Sequence, residues 1–158
     1  MELFNNIIKS AVISDCEKYR YQLSRIWDDS KPKVLFIMHN PSVADAVQAD
    51  PTMTRCVNFA RAWGYGGIYI GNLSPFIATN PKDLKHLSND ELQPKDNNDH
   101  VAFMMSMCEL HVLAHGNPSI AMVVPDHHSN DWHYISLTKA GNPSHPLRLK
   151  GDLVPQKI

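Results

Sequence analysis

The sequence has little of what would mark a specialised chain. Cysteine is scarce: Cys16, Cys56 and Cys108 are the three in 158 residues, and no two stand in C-x-x-C spacing. An odd, scattered set suits free thiols in a reducing compartment and excludes a secreted disulfide framework. An excess of one charge is also absent, since 15 basic and 16 acidic residues leave a formal charge of −1. Gripping duplex DNA through its phosphates takes a basic excess, so tight non-specific DNA binding is disfavoured, although a local basic groove stays open. No apolar run approaches the roughly 18 residues of a membrane span. The first residues (MELFNNIIKSAVISDCEK) lack a basic segment followed by a long apolar one. These absences lead to the expectation of a cytoplasmic protein with no membrane partner. A phosphate-cradling glycine loop is missing too, because Gly64-Tyr65-Gly66-Gly67 leads into a strand pattern and opens no helix.

What is present is an ordinary globular mixture, 43% hydrophobic and 20% charged. Its length predicts a single domain over residues 1–158 that buries about 70% of its unfolded surface. Residues 33–38 (KVLFIM) are a short apolar run between Pro32 and the His39-Asn40-Pro41-Ser42 turn, the pattern of a strand buried on both faces. Asp50-Pro51-Thr52 supplies an N-cap and a proline at the first helical position. Met53, Cys56, Val57 and Ala60 follow at three- and four-residue steps, and Gly64 closes the helix. Ile68-Tyr69-Ile70 is a second apolar strand, so strand, helix and strand predict a right-handed parallel crossover. Residues 15–27 (DCEKYRYQLSRIW) fit either an amphipathic helix or a strand. Residues 79–98 are turn-rich and polar, a surface excursion with at most short helices, and residues 99–108 place Val101, Met104, Met105 and Cys108 on one helical face. Residues 110–114 (LHVLA) read as a third strand, 120–124 as a short strand or helix and 134–138 (YISLT) as the last strand, with no order required beyond Pro155. This order predicts an α/β three-layer sandwich around a mostly parallel central sheet.

In such sheets ligands bind at the carboxyl ends of the strands. The loops predicted there are His39-Asn40-Pro41-Ser42, Gly71-Asn72-Leu73-Ser74 and His115-Gly116-Asn117-Pro118, with a related string, Asn142-Pro143-Ser144-His145-Pro146, near the C-terminus. Any one Asn-Pro pair is explained by a turn. Asn40 differs because it directly follows a buried strand, where its carbonyl can orient a water and its amino group can donate to a ligand. Asn72 has the same position after the second strand and is read as either functional or structural; an amide pairs donor and acceptor as reading a nucleobase amide edge requires. His145 offers an imidazole N–H to developing negative charge, or is an exposed loop histidine. Asp45 and Asp50 flank the first loop as candidate bases, Asp50 being equally well explained as a helix cap. Arg20, Arg55 and Arg61 suit phosphate, Arg55 best because it lies in the first turn of a helix. Asp126, His127, His128, Asp131 and His133 match no usual zinc spacing, so a solvated loop is preferred and neither metal nor other cofactor is expected.

Taken together, Tyr19-Arg20-Tyr21, residues 36–46 (FIMHNPSVADA), Asp50-Pro51-Thr52, Arg55-Cys56, residues 60–67 (ARAWGYGG), Asn72-Leu73, residues 78–84 (ATNPKDL), Asn98-Asp99 and Leu137-Thr138-Lys139 resemble a bacterial and phage family known as domain of unknown function 1643. The resemblance covers nearly the whole chain and implies no activity. A more distant resemblance is to the uracil-DNA glycosylase superfamily. Met38-His39-Asn40-Pro41 is similar to its first motif, Gly-x-Asn-Pro or Gly-x-Asp-Pro, with Met38 in place of the glycine. Ile70-Gly71-Asn72-Leu73 is similar to its second core strand, which ends in a base-reading Asn, and Ser74-Pro75 through Asn80-Pro81 to its proline-rich stretch. Asn142-Pro143-Ser144 or His145-Pro146-Leu147 is similar to its last motif. The resemblance implies a uracil-DNA glycosylase-like fold in which Asn40 positions the attacking water, Asn72 bonds the base and His145 stabilises charge on the departing base's oxygen. Such enzymes flip the nucleotide out of the stack. His39, Pro41, Ser42, Leu73, Arg55, Asn142 and Ser144 join as expected substrate contacts, and Asp45 as an expected catalytic carboxylate. The expected function is recognition of a nucleobase or nucleotide, with hydrolysis of an N-glycosidic bond or, alternatively, non-catalytic sequestering or sensing. The near-neutral charge favours a small ligand over nucleic acid.

Overall fold

A strand that is apolar at nearly every position must be covered on both sides, and the run at 33–38 is. The computed structural model describes residues 6–42, 50–125 and 131–158. Its strands are β1 (Ile8–Ile13), β2 (Arg20–Ile26), β3 (Lys33–Met38), β4 (Gly67–Asn72), β5 (Leu110–Leu113), β6 (Trp132–Tyr134) and β7 (Gln156–Lys157). Its helices are α1 (Pro51–Ala62), α2 (Asn89–Leu92) and α3 (Asp96–Met107), with 3-10 turns at Pro81–His86 and Pro146–Arg148. One sheet runs β1-β2-β4-β3-β5-β6-β7, which puts β3 at its centre. Alternation then divides β3 between two cores. Val34, Phe36 and Met38 pack with Met53, Cys56, Phe59 and Ala60 of α1, while Leu35 and Ile37 pack with Met104 of α3 on the opposite face. Val34, Leu35 and Phe36 have no exposed surface, and each such side chain contributes about 1.5–3 kcal/mol of apolar burial.

The expected crossover is present: β3 and β4 are parallel in register from Lys33↔Gly67 to Met38↔Asn72, joined through α1. Asp50 caps α1, its carboxylate accepting the Met53 N–H at 2.6 Å, and Gly64 turns the chain away at φ +89°. Residues 15–27, open from sequence, contain the strand β2. It faces both layers, with Leu23 in the α1 core and the Gln22 amide bonded to His100 of α3.

Four expectations need correction. The sheet is mixed and not mostly parallel: β3–β4, β3–β5 and β5–β6 are parallel, whereas β1–β2, β2–β4 and β6–β7 are antiparallel. The N-terminal hairpin, β1 with β2, adds to β4 without a helical crossover, and the exposed β1 had no apolar pattern to announce it. Residues 134–138 are not the last strand. β6 lies earlier, and beyond it the chain folds on itself, with the Thr138 N–H donating to the Asn142 carbonyl and the Ser144 N–H to Ser136. Order continues past Pro155, because β7 pairs with β6 and the Ile158 N–H donates to the Trp132 carbonyl. Residues 120–124 are neither strand nor helix; the Gln93 side chain holds both the N–H and the carbonyl of Val123.

All three cysteines are free thiols. Burial pushes the Cys108 thiol up to about 12 and the fully buried Cys56 thiol well above the ordinary range. Exposed Cys16 lies below its ordinary value, chiefly through the Ser14 hydroxyl. An aromatic disulfide reagent at pH 8 is expected to titrate one thiol quickly and the other two only after denaturation; fast reaction of two or more would contradict this packing.

Candidate functional site

The parallel pairing of β3 with β4 determines what stands at their carboxyl ends. Ile68 and Ile70 face α1 and Tyr69 faces α3, so the two-residue period turns the Asn72 side chain toward α1. There it lines a cavity of about 120 Å³ together with Arg20, Asn40, Ser42, Asp50 and His145. Asn72 is 4% exposed, and among the described residues its side-chain amide makes no hydrogen bond. Its backbone carbonyl is fixed instead, accepting from the Asn97 Nδ2 of α3 at 3.0 Å. An amide that is buried, held from behind and open toward a cavity retains its full donor and acceptor capacity for a ligand.

Asn40 is placed differently. Its Nδ2 donates to the Ala78 carbonyl at 2.9 Å and the Pro41 carbonyl at 3.1 Å, and its Oδ1 is 2.8 Å from His39 Nδ1. The Ser119 N–H donates to His39 Nε2, so the His39 proton resides on Nδ1 and points at Asn40. This chain of bonds ties the loop after β3 to those after β4 and β5. Both amide hydrogens of Asn40 are therefore taken and cannot serve a ligand; one Oδ1 lone pair remains for a water.

His145 stays exposed at the cavity rim. The Leu147 N–H donates to its Nδ1, which leaves the ring proton of the neutral form on Nε2. Partial desolvation at the rim holds the His145 pKa below its ordinary value, and the Asp50 carboxylate pulls it back in part. Asp50 thus serves as helix cap and cavity wall together. Arg20 is buried in the same wall, its Nη1 3.5 Å from the Ser42 carbonyl.

Asn40, Pro41, Ser42, Asn72 and His145 meet at this cavity, and His39 lines an adjoining one of about 400 Å³. The remaining predicted contacts lie elsewhere. Leu73 points to the α3 core. The Arg55 Nε donates to the Pro146 carbonyl while its guanidinium lies over Phe59, so it anchors the C-terminal segment and faces neither cavity. The Asn142 Nδ2 donates to Asn117 Oδ1, and the Ser144 N–H to the Ser136 carbonyl. Asp45 lies outside the described residues, as do Asp126, His127 and His128 of the histidine-rich segment; among the described residues no metal-binding cluster forms. Sequence reasoning missed Asn97, whose role depends on the meeting of α3 with β4. A larger cavity, about 870 Å³, lies beyond the sheet between α3 and residues 121–125, and two buried atoms among its lining residues, Asn97 Oδ1 and Trp132 Nε1, have no partner among the described residues.

Fold and site together define an α/β protein with a mixed seven-stranded sheet and a small polar cavity at the carboxyl ends of its central parallel strands. A family model described as "Protein of unknown function (DUF1643)" matches residues 20–147, and the chain belongs to this family. The match spans every described residue of the cavity and leaves out β1 and β7. No curated protein and no solved structure matches the chain.

Since the folded His145 pKa lies below the ordinary 6.5, folded protein binds fewer protons there than the unfolded chain. Its contribution to stability is full above about pH 6.5 and declines as the pH falls toward the folded pKa. An NMR titration of the ring is expected to give a midpoint below 6.5, and D50N to lower it further while an Asn cap preserves α1. A midpoint at or above 6.5, or one that rises in D50N, would refute this electrostatic assignment.

Proposed function

We propose that the cavity takes a nucleobase and that the protein hydrolyses the N-glycosidic bond carrying it. The observation that supports this reading most is the unpaired, buried Asn72 amide in the same cavity as His145. The amide would donate to a base carbonyl and accept from the neighbouring ring N–H. Water held by the free lone pair of Asn40 would attack the anomeric carbon as the carbon–nitrogen bond breaks, and the bonding electrons would leave with the base. His145 Nε2–H would stabilise the negative charge that develops on the base's oxygen. The carboxylate of Asp50, on the cavity wall, would accept the water's proton. The roles of Asn40, Asn72 and His145 are those implied by the resemblance to uracil-DNA glycosylases, with Asn40 reduced to an acceptor, whereas that of Asp50 rests on its place in the cavity wall.

A second reading, non-catalytic sequestering or sensing of a base-containing compound, is favoured by one feature: most of Asn40's hydrogen-bonding capacity is spent on holding loops together. Chromatography after incubation with a panel of pyrimidine nucleosides and uracil-containing single strands separates the two. Hydrolysis predicts free base, with H145A slower by about 10²–10³-fold, the usual cost of one oxyanion donor, and N72A also impaired. Recovery of only intact compound, with retention by the wild type but not by N72A, would overturn catalysis and favour sequestering.

A further inference from the structure

The Asn72 cavity does not stand alone. Met38, Asn40, Ser42 and His145 line both it and the adjoining outer cavity, which is more than three times larger at about 400 Å³ against about 120 Å³. A ligand entering the first can therefore extend into the second, past His145. The inner volume is of the order of the roughly 150 Å³ cavity that takes one benzene ring, so it suits a single six-membered ring better than two fused ones.

The chemistry of the outer cavity is polar and uncharged. His39, Thr79, His115, Asn117 and Ser119 provide its polar side chains together with the shared residues, and its described lining contains no Lys, Arg, Asp or Glu. His145 is a poor substitute for a cation, since its Nδ1 accepts the Leu147 N–H and a proton on that atom would break the bond. Arg55, the sequence's best phosphate candidate, is turned to the Pro146 carbonyl. A phosphate moved from water into such a cavity would lose hydration without gaining a charged partner.

Building on the base-binding reading above, we infer that the ligand is an uncharged nucleoside, its single-ring base against Asn72 in the inner cavity and its unphosphorylated sugar in the outer one. Isothermal titration with uracil, hypoxanthine, pseudouridine and pseudouridine 5′-monophosphate tests this. Pseudouridine is chosen because its carbon–carbon link to ribose resists hydrolysis and keeps an amide edge on the base. Pseudouridine is expected to bind at least ten-fold more tightly than uracil, its 5′-monophosphate no more tightly than pseudouridine, and hypoxanthine at least ten-fold more weakly than uracil. A monophosphate that binds ten-fold more tightly than pseudouridine, or a pseudouridine no better than uracil, would overturn the inference and leave the base site standing. Hypoxanthine equal to uracil would overturn the single-ring assignment. Failure of all four to bind would overturn the base-binding reading itself.

Discussion

The burial of β3 on both faces is the constraint from which the rest follows. Five of its six side chains are buried, so the strand can only sit at the centre of the sheet, with α1 on one side and α3 on the other. Central placement brings β4 into parallel register beside it and sets Met38 opposite Asn72 at the strands' carboxyl ends. With alternate residues committed to opposite cores, the first polar side chain after Ile68 and Ile70 on the α1 face is Asn72. The cavity is thus a product of strand register, and its position is as rigid as the core beneath it.

Two asparagines that look alike in sequence serve opposite ends in this arrangement. Asn40 spends its amide hydrogens on the carbonyls of Pro41 and Ala78 and one lone pair on His39, and so holds the rim together. Asn72 spends only its backbone carbonyl, on Asn97, and keeps its side chain for the cavity. The neighbours differ in kind as well. Asp50 brings the one carboxylate among the described lining residues of the inner cavity, and it caps a helix whose polarity already favours negative charge there. His145 has its proton position determined by a backbone N–H, which supplies orientation before any ligand arrives.

The central crossover was legible in the sequence because each of its signals is local: an unbroken apolar run, an Asp-Pro-Thr start, a glycine stop and a second apolar run. The edges were not. β1 is exposed and carries no periodic signal, and β7 is two residues long, so both are defined by partners remote in the chain. The convergence of Asn40, Asn72 and His145 followed from the rule that strand ends form sites, with the family resemblance guiding the choice of His145. The Arg55, Asn142 and Ser144 placements could not be read in the same way. Helix polarity made Arg55 a plausible anion ligand, but a carbonyl 91 residues away claims its side chain. The Asn142 amide is likewise engaged by Asn117, a loop residue whose proximity depends on the sheet having formed.

The site depends on Asn72 being the open amide of the pair, and the side-chain NH₂ resonances of the two asparagines report on that directly. In a ¹⁵N–¹H correlation spectrum recorded while uracil is added, the Asn72 NH₂ pair is expected to shift progressively and saturate, while the Asn40 pair, bonded to two backbone carbonyls, stays nearly still. Movement of the Asn40 pair with Asn72 unaffected would contradict the account.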